Sequence, residues 1–150
     1  MPMHVNMKRR LLLVWLGVLL AAVLGAAWLM MTPHPFARLI DGGLENVSVI
    51  SVLELQKSGA SVDIPAAEAA PLLEELGRTD IRWKGRTASM QWEPGERTWE
   101  LYFLEEREGR PVRELARVTL DEHRNLYADG SRYELPEDSR LPDWVRSLDK

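Results

Sequence analysis

LLLVWLGVLLAAVLGAAWLMM, from Leu11 to Met31, contains no charge, no proline and no strongly polar side chain. Coiled as a helix at about 1.5 Å per residue it is roughly 31 Å long, close to the ~30 Å hydrocarbon thickness of a bilayer. It divides the chain into a cytoplasmic basic tag (1–10), a transmembrane helix (11–31), a linker (32–35) and an outer domain (36–150). The tag ends in Lys8-Arg9-Arg10, against the apolar run, whereas the far flank, Thr32 to Arg38, carries one full positive charge. By the positive-inside rule the N-terminus is cytoplasmic and the domain extracytoplasmic at the cell membrane. Trp15 and Trp28 lie towards the two ends, where amphipathic rings favour the interface.

The competing reading is a cleavable signal peptide, with Gly25-Ala26-Ala27 resembling a cleavage site. Signal cores usually run about 7–15 residues, and Trp28-Leu29-Met30-Met31 continues this one past that point. The uncleaved anchor is therefore preferred. Gly17, Ala21 and Gly25 recur every four residues and put small side chains on one helix face. Two spans can approach closely along such a face, so a homodimer through the transmembrane helix is a candidate assembly. Ordinary glycine and alanine usage in a span gives the same pattern.

The 23 acidic residues all lie beyond the span, facing 16 of the 19 basic ones, so the outer part carries a net −7. A domain of that sign is repelled by phosphate backbones, which makes nucleic acid a poor partner. Cysteine is absent, and with it go disulfides, thiolate catalysis, cysteine-based metal sites and lipoprotein acylation. The domain must hold together by its core alone.

Pro33 and Pro35 end the helix and predict an extended linker. Phe36, Leu39 and Ile40 suggest a short amphipathic turn closed by Asp41-Gly42-Gly43. Val47 to Leu55 is rich in β-branched residues, and Ala60 to Ile64 reads as its returning strand across Gln56-Lys57-Ser58-Gly59. Ala69, Leu72, Leu73 and Leu76 have the spacing of a helix with one buried stripe, ended at Gly77, with Pro71 starting or kinking it. A strand meander follows: Ile81 to Lys84, a break at Gly85, Thr87 to Trp92, a turn over Glu93 to Glu96, then Arg97 to Leu104. In the last of these, Trp99, Leu101 and Phe103 alternate with Thr98, Glu100 and Tyr102. Val112 to Leu120 alternates less cleanly. Leu126 to Ala128 and Arg132 to Leu135 flank Asp129-Gly130, a strong hairpin signal. Leu141 to Leu148 suggests a terminal helix that covers the core with Leu141, Trp144, Val145 and Leu148. The fold class is α+β: an N-terminal transmembrane helix, then an antiparallel sheet with one packed helix and a short C-terminal helix.

The Leu72-Leu73-x-x-Leu76 helix after a hairpin, and the later "Leu-Tyr-x-Asp-Gly-x-x-Tyr-x-Leu" of Leu126 to Leu135, carry a resemblance. Over Val47 to Trp144 the chain resembles small extracytoplasmic domains of uncharacterised bacterial membrane-anchored proteins and lipoproteins. The resemblance implies a fold and brings no chemistry with it. The absent cysteine separates this chain from the lipoprotein members.

Candidate sites are few. His4, His34 and His123 fall in the tag, the linker and a turn, with no pair at ligand spacing, so no metal is expected. There is no Gly-x-Ser-x-Gly, no phosphate-binding glycine loop, and His123 alone is placed to act as a base for a serine. No cofactor is expected. Glu105, Glu106 and Glu108 form one acidic turn and Glu93 and Glu96 another. Glycoside hydrolysis needs carboxylates opposed across a cleft, and solvated turns rarely supply that. Asn46-Val47-Ser48 fits a glycosylation sequon that is common by chance.

Trp83, Trp92 and Trp99, with Tyr102, are dense for so small a domain. Exposed, they would stack on sugars or grip a partner; buried, they are core, and Trp99's shared face with Leu101 and Phe103 favours burial. The strand charges Arg82, Lys84, Arg86, Arg97, Glu100, Arg113, Glu114 and Arg117 read as a solvated sheet face or a polar docking surface. The expectation is a non-enzymatic, single-pass protein whose partners are the lipid bilayer and another protein or an envelope component. The alternative is a small ligand- or glycan-binding module using Trp92 and Trp99.

Overall fold

The computed structural model describes residues 3–57, 59, 61–87 and 95–148. They form two units, one ending at Thr32 and the other beginning at Pro33. The first is helix α1, Met3–Met31. Its Leu, Ala and Met content favours helix, and Lys8, Arg9 and Arg10 are equally good helix formers, so the helix runs back into the basic tag. Thr32 closes it with its amide at 2.8 Å and its hydroxyl at 2.6 Å from the Trp28 carbonyl. Pro33 cannot continue it. Within Asn6–Met31 an 18-residue window reaches a mean hydropathy of 2.4, and side chains such as Leu13, Trp15 and Trp28 are exposed on every side. The helix is long and apolar enough to cross a membrane.

The second unit is an α+β domain built on one eight-stranded antiparallel sheet. Its strands are β1 (Pro33–Pro35), β2 (Val49–Glu54), β3 (Val62–Pro65), β4 (Asp80–Arg86), β5 (Thr98–Glu105), β6 (Arg113–Asp121), β7 (Asn125–Ala128) and β8 (Ser131–Glu134). The spatial order is β1-β4-β8-β7-β6-β5-β2-β3. Strands β5 to β8 are a meander, the β2–β3 hairpin adds beside β5, and β4 adds beside β8. Helix α2 (Ala70–Leu76) carries the chain from β3 at one edge to β4 near the other.

Residues 32–35 differ from the expected linker. Pro33, His34 and Pro35 pair with Arg82, Ile81 and Asp80 as an edge strand. A central strand would lose two ladder donors to these prolines, but an edge strand does not need them. Pro71 sits in the first turn of α2, where its missing N–H has no intrahelical partner to lose, so it starts the helix without a kink. Gly77 follows with helical dihedrals (φ −63°, ψ −19°), so closure there does not use a left-handed glycine.

Two irregularities explain where alternation fails. In β6, Phe103 pairs with Ala116 and Leu104 with Glu114, leaving Leu115 as the extra residue of a bulge, buried nonetheless. In β4, Lys84 is the extra residue between the Trp83–Tyr133 and Gly85–Arg132 pairs. Gly85, expected as a break, continues the strand at φ +123°, a conformation glycine adopts without a Cβ penalty. Asp129 (φ +51°) and Gly130 (φ +73°) form the expected hairpin turn.

Cross-strand partners share a face, and register assigns the core. One row runs Glu54–Trp99–Leu120–Leu126–Tyr133–Trp83 and a second Val52–Leu101–Val118. These close on Phe36, Ile40, Leu72 and Leu76, and on Leu141 and Val145 of helix α3 (Leu141–Ser147). Trp144 and Leu148 pack against the same cluster. Arg140 N–H donates to Glu75 Oε1 at 2.8 Å, joining the start of α3 to α2. Both helices thus bury their apolar side chains on one sheet face.

Candidate functional site

The opposite face is polar. It carries Asp63, Ser51, Tyr102 and Arg117 in one row and Leu53, Glu100, Thr119, Tyr127 and Arg132 in the next. Tyr102 is half-buried, with the Arg117 guanidinium 5.0 Å from its ring centroid. Arg117 Nε lies 3.2 Å from Glu114 Oε1 and 3.6 Å from Glu100 Oε1. Burial, then a hydrogen bond with Glu100 and its charge, pushes the Tyr102 phenol up from 10.0. An arginine stacked on a tyrosine between two carboxylates is an ordered, mixed-charge patch.

Beside it lies a hub around Asp121, which is 4% exposed. Its carboxylate accepts from the His123 amide (2.8 Å), the Asn125 amide (2.9 Å), Asn125 Nδ2 (2.9 Å) and, longer, Tyr127 Oη (3.4 Å). Burial, then the charge of Asp121, raises the Tyr127 phenol above 10.0. The β6–β7 turn that supplies these donors is held at Arg124 (φ +66°), whose guanidinium donates to the Pro136 carbonyl at 2.8 Å. Next to the hub, His123 Nε2 is 3.3 Å from Glu96 Oε1. Thr98 and Gln56 exchange two hydrogen bonds: Thr98 N–H to Gln56 Oε1 at 2.8 Å, and Gln56 Nε2 to Thr98 Oγ1 at 3.0 Å. Asp121 has its lone pairs engaged, an arrangement suited to holding a turn in shape.

The expected site residues separate. Trp99 is 1% exposed and belongs to the core. Trp83 is partly buried and pairs with Tyr133, itself edge-on to His34 at 6.3 Å. Trp92 lies outside the described residues, as do most of the strand expected over Thr87 to Trp92 and the turn residues Glu93 and Pro94. The structure brings Tyr102 together with Arg117 and Glu100, and it keeps Trp83 and Trp99 on the other side of the sheet. Arg97 is no part of the polar face. It lies 4.9 Å over the Trp99 ring and donates to Glu54 at 2.8 and 3.1 Å, because its register follows Trp99.

In the acidic turn, Glu105 lies 3.7 Å from Arg113, which also pairs with Asp41, and the Glu106 amide donates to Ser48 Oγ at 3.1 Å. No group of three metal-ligating side chains occurs among the described residues. On α1, a Cβ added at Gly17 or Gly25 would meet nothing within 4 Å, and Ala21 lies between them. The sequence marks Asp121 to Asn125 as a turn, and the structure adds that Asp121 is its buried acceptor, within reach of Tyr127. The signal was Asp121-x-His123-x-Asn125, where an aspartate can accept from amides two and four residues ahead.

Both sheet edges are short and carry proline, Pro33 and Pro35 in β1 and Pro65 in β3. Such edges discourage addition of a further strand. No protein family model, curated protein or solved structure matches this chain.

Proposed function

We propose that this chain is a single-pass membrane protein. Lys8 to Arg10 keep its N-terminus cytoplasmic, and α1 stays uncleaved as the anchor. The acidic domain then stands outside the cell membrane as a non-enzymatic accessory module of the envelope. It binds another protein there through the sheet face centred on Tyr102. The observation that carries this reading is the patch of Tyr102, Arg117, Glu100 and Glu114 on the helix-free side of a sheet with proline-bearing edges. Tyrosine and arginine are the residue types that anchor protein interfaces, and their charged neighbours set orientation. Pairing of two anchors along Gly17, Ala21 and Gly25 would present the face twice.

Photo-crosslinking in intact membranes tests it. A photoreactive residue at Arg117 is expected to give a discrete crosslinked product, and one at Glu68, exposed beside α2, none. Equal crosslinking at both positions, or none at Arg117, counts against the sheet face as the contact. Double substitution G17L and G25L is expected to abolish any self-crosslinking in membranes and leave the Arg117 product.

A further inference from the structure

The chain enters the domain at a sheet edge, and β4 runs past that point. Thr32 alone separates the last residue of α1 from Pro33, the first of β1. Pairing is antiparallel, Pro33 with Arg82 and Pro35 with Asp80, so Trp83 to Arg86 extend beyond the entry point and Asp80 lies behind it. Strand β8 keeps them company, with Tyr133 opposite Trp83, Arg132 opposite Gly85 and Ser131 opposite Arg86. At about 3.3 Å per residue, and allowing for the bulge at Lys84, this corner reaches about 10 Å past Pro33.

Charge changes sign along the same strands. Beyond Pro33 stand Lys84, Arg86 and Arg132, both arginines exposed, with Asp129 as the acid of the β7–β8 turn. At and behind Pro33, Asp80, Glu134 and Glu137 line a hollow of about 380 Å³. Lys84 Nζ lies 3.4 Å from Glu134, at the boundary between the two. The outer part of the chain carries a net −7, so a cationic corner beside the entry point runs against its overall charge. Trp83 ends a core row and is only partly buried. Tryptophan and tyrosine next to lysine and arginine are the side chains that settle at a bilayer's headgroup layer, where the cations attract anionic lipid. We propose that this corner binds the anionic phospholipid headgroups of the membrane that holds α1. It rests on the anchor reading given above: with α1 spanning the bilayer, two Cα steps of about 3.8 Å keep Pro33 within about 8 Å of Met31. The guanidinium groups of Arg86 and Arg132 donate to lipid phosphate oxygens, and the Trp83 ring lies among the headgroups. The contact uses none of Tyr102, Arg117, Glu100 or Glu114.

The test uses the full-length chain, ¹⁵N-labelled, in nanodiscs of phosphatidylcholine alone or of equal parts phosphatidylcholine and phosphatidylglycerol. The readouts are the Nε–H resonances of Arg86 and Arg132 and the indole N–H of Trp83, assigned by their loss in Arg86→Gln, Arg132→Gln and Trp83→Phe. Anionic discs are expected to shift all three relative to neutral discs, and added salt to shrink the shifts. Each lysine or arginine at an anionic surface is worth about a factor of five, so Arg86→Gln with Arg132→Gln lowers the docked-to-undocked ratio about 25-fold, read at Trp83. Arg140→Gln with Arg146→Gln, exposed on and beside α3, is expected to leave the ratio unchanged. Unchanged amide shifts in β5 show that each variant keeps its fold. Identical spectra in the two discs, a shift that survives the Arg86 and Arg132 pair, or an equal loss with the α3 pair overturns the lipid contact and leaves the anchor standing. Inorganic phosphate that reproduces the shifts in neutral discs overturns it too, in favour of a soluble anion. A chain that fails to float with phosphatidylcholine vesicles overturns the anchor, and the lipid contact with it.

Discussion

Replacing Trp99 by alanine separates a core tryptophan from a surface one. Trp99 is 1% exposed and lies in a row with Leu120 and Leu126. An aromatic side chain buries about 150–250 Å², which at about 25 cal/mol per Å² is about 4–6 kcal/mol. Loss of the Arg97 stacking adds about 0.5–1 kcal/mol. Removing its buried indole N–H, which has no protein acceptor, returns about 1–3 kcal/mol. These ranges net to a loss of about 1.5–6 kcal/mol, which measured tryptophan truncations narrow to about 3–5 kcal/mol. For a domain of this size that lowers the midpoint by about 12–20 °C. Tyr102→Ala, on the polar face and half-buried, is expected to cost about 1 kcal/mol. Thermal unfolding of the full-length chain in detergent, followed by near-UV circular dichroism, reads both. If Trp99→Ala costs less than about 1 kcal/mol, or less than Tyr102→Ala, the two sheet faces have been assigned the wrong way round.

Asp121→Ala leaves the His123 and Asn125 amides without their acceptor and is expected to cost about 2–4 kcal/mol, with faster amide exchange at both positions. Tyr127 and Tyr102 have phenols raised above 10.0 in the folded domain, so the folded state holds these protons more tightly than the unfolded one. Their contribution is fully present below pH 10 and is lost as pH rises through the folded values, so stability should fall above about pH 10. Tyr127→Phe is expected to shrink that fall, as read by chemical denaturation across pH 8 to 11. Gly85→Ala places a Cβ at φ +123° and is expected to cost about 1–3 kcal/mol in the same unfolding assay. Gly77→Ala, at helical dihedrals, is expected to cost less than about 1 kcal/mol.

Local pattern made α1 and β5 legible in the sequence. Twenty-one uncharged residues leave little choice but a helix, and the Trp99-Leu101-Phe103 alternation gives both the strand and its buried face. The β2–β3 and β7–β8 hairpins and both helices of the domain were equally readable, since turn residues and apolar spacing sit within a few positions of one another. What was not readable was long-range. Nothing near His34 says that it pairs with Ile81, and proline on both sides argues for a spacer until an edge is available to receive it. Gly85 has the look of a break because a bulge and a turn ask the same of a glycine. Charge alone suggests solvent for Arg97, while its position two before Trp99 puts it over that ring. The candidate site divides the same way. Tyr102 was found by alternation. Its arginine partner comes from the next strand, and the Asp121 hub depends on a turn whose shape only the folded chain shows.

The central claim is a retained anchor that holds the domain outside the membrane, and the absence of native cysteine makes it directly testable. Single cysteines at Asn6 and at Ser147, both exposed, are treated in intact cells with a membrane-impermeant maleimide. The account predicts labelling of full-length Ser147→Cys, and labelling of Asn6→Cys only after permeabilisation. Labelling in the reverse order, or a mature product that begins near Trp28, would contradict it.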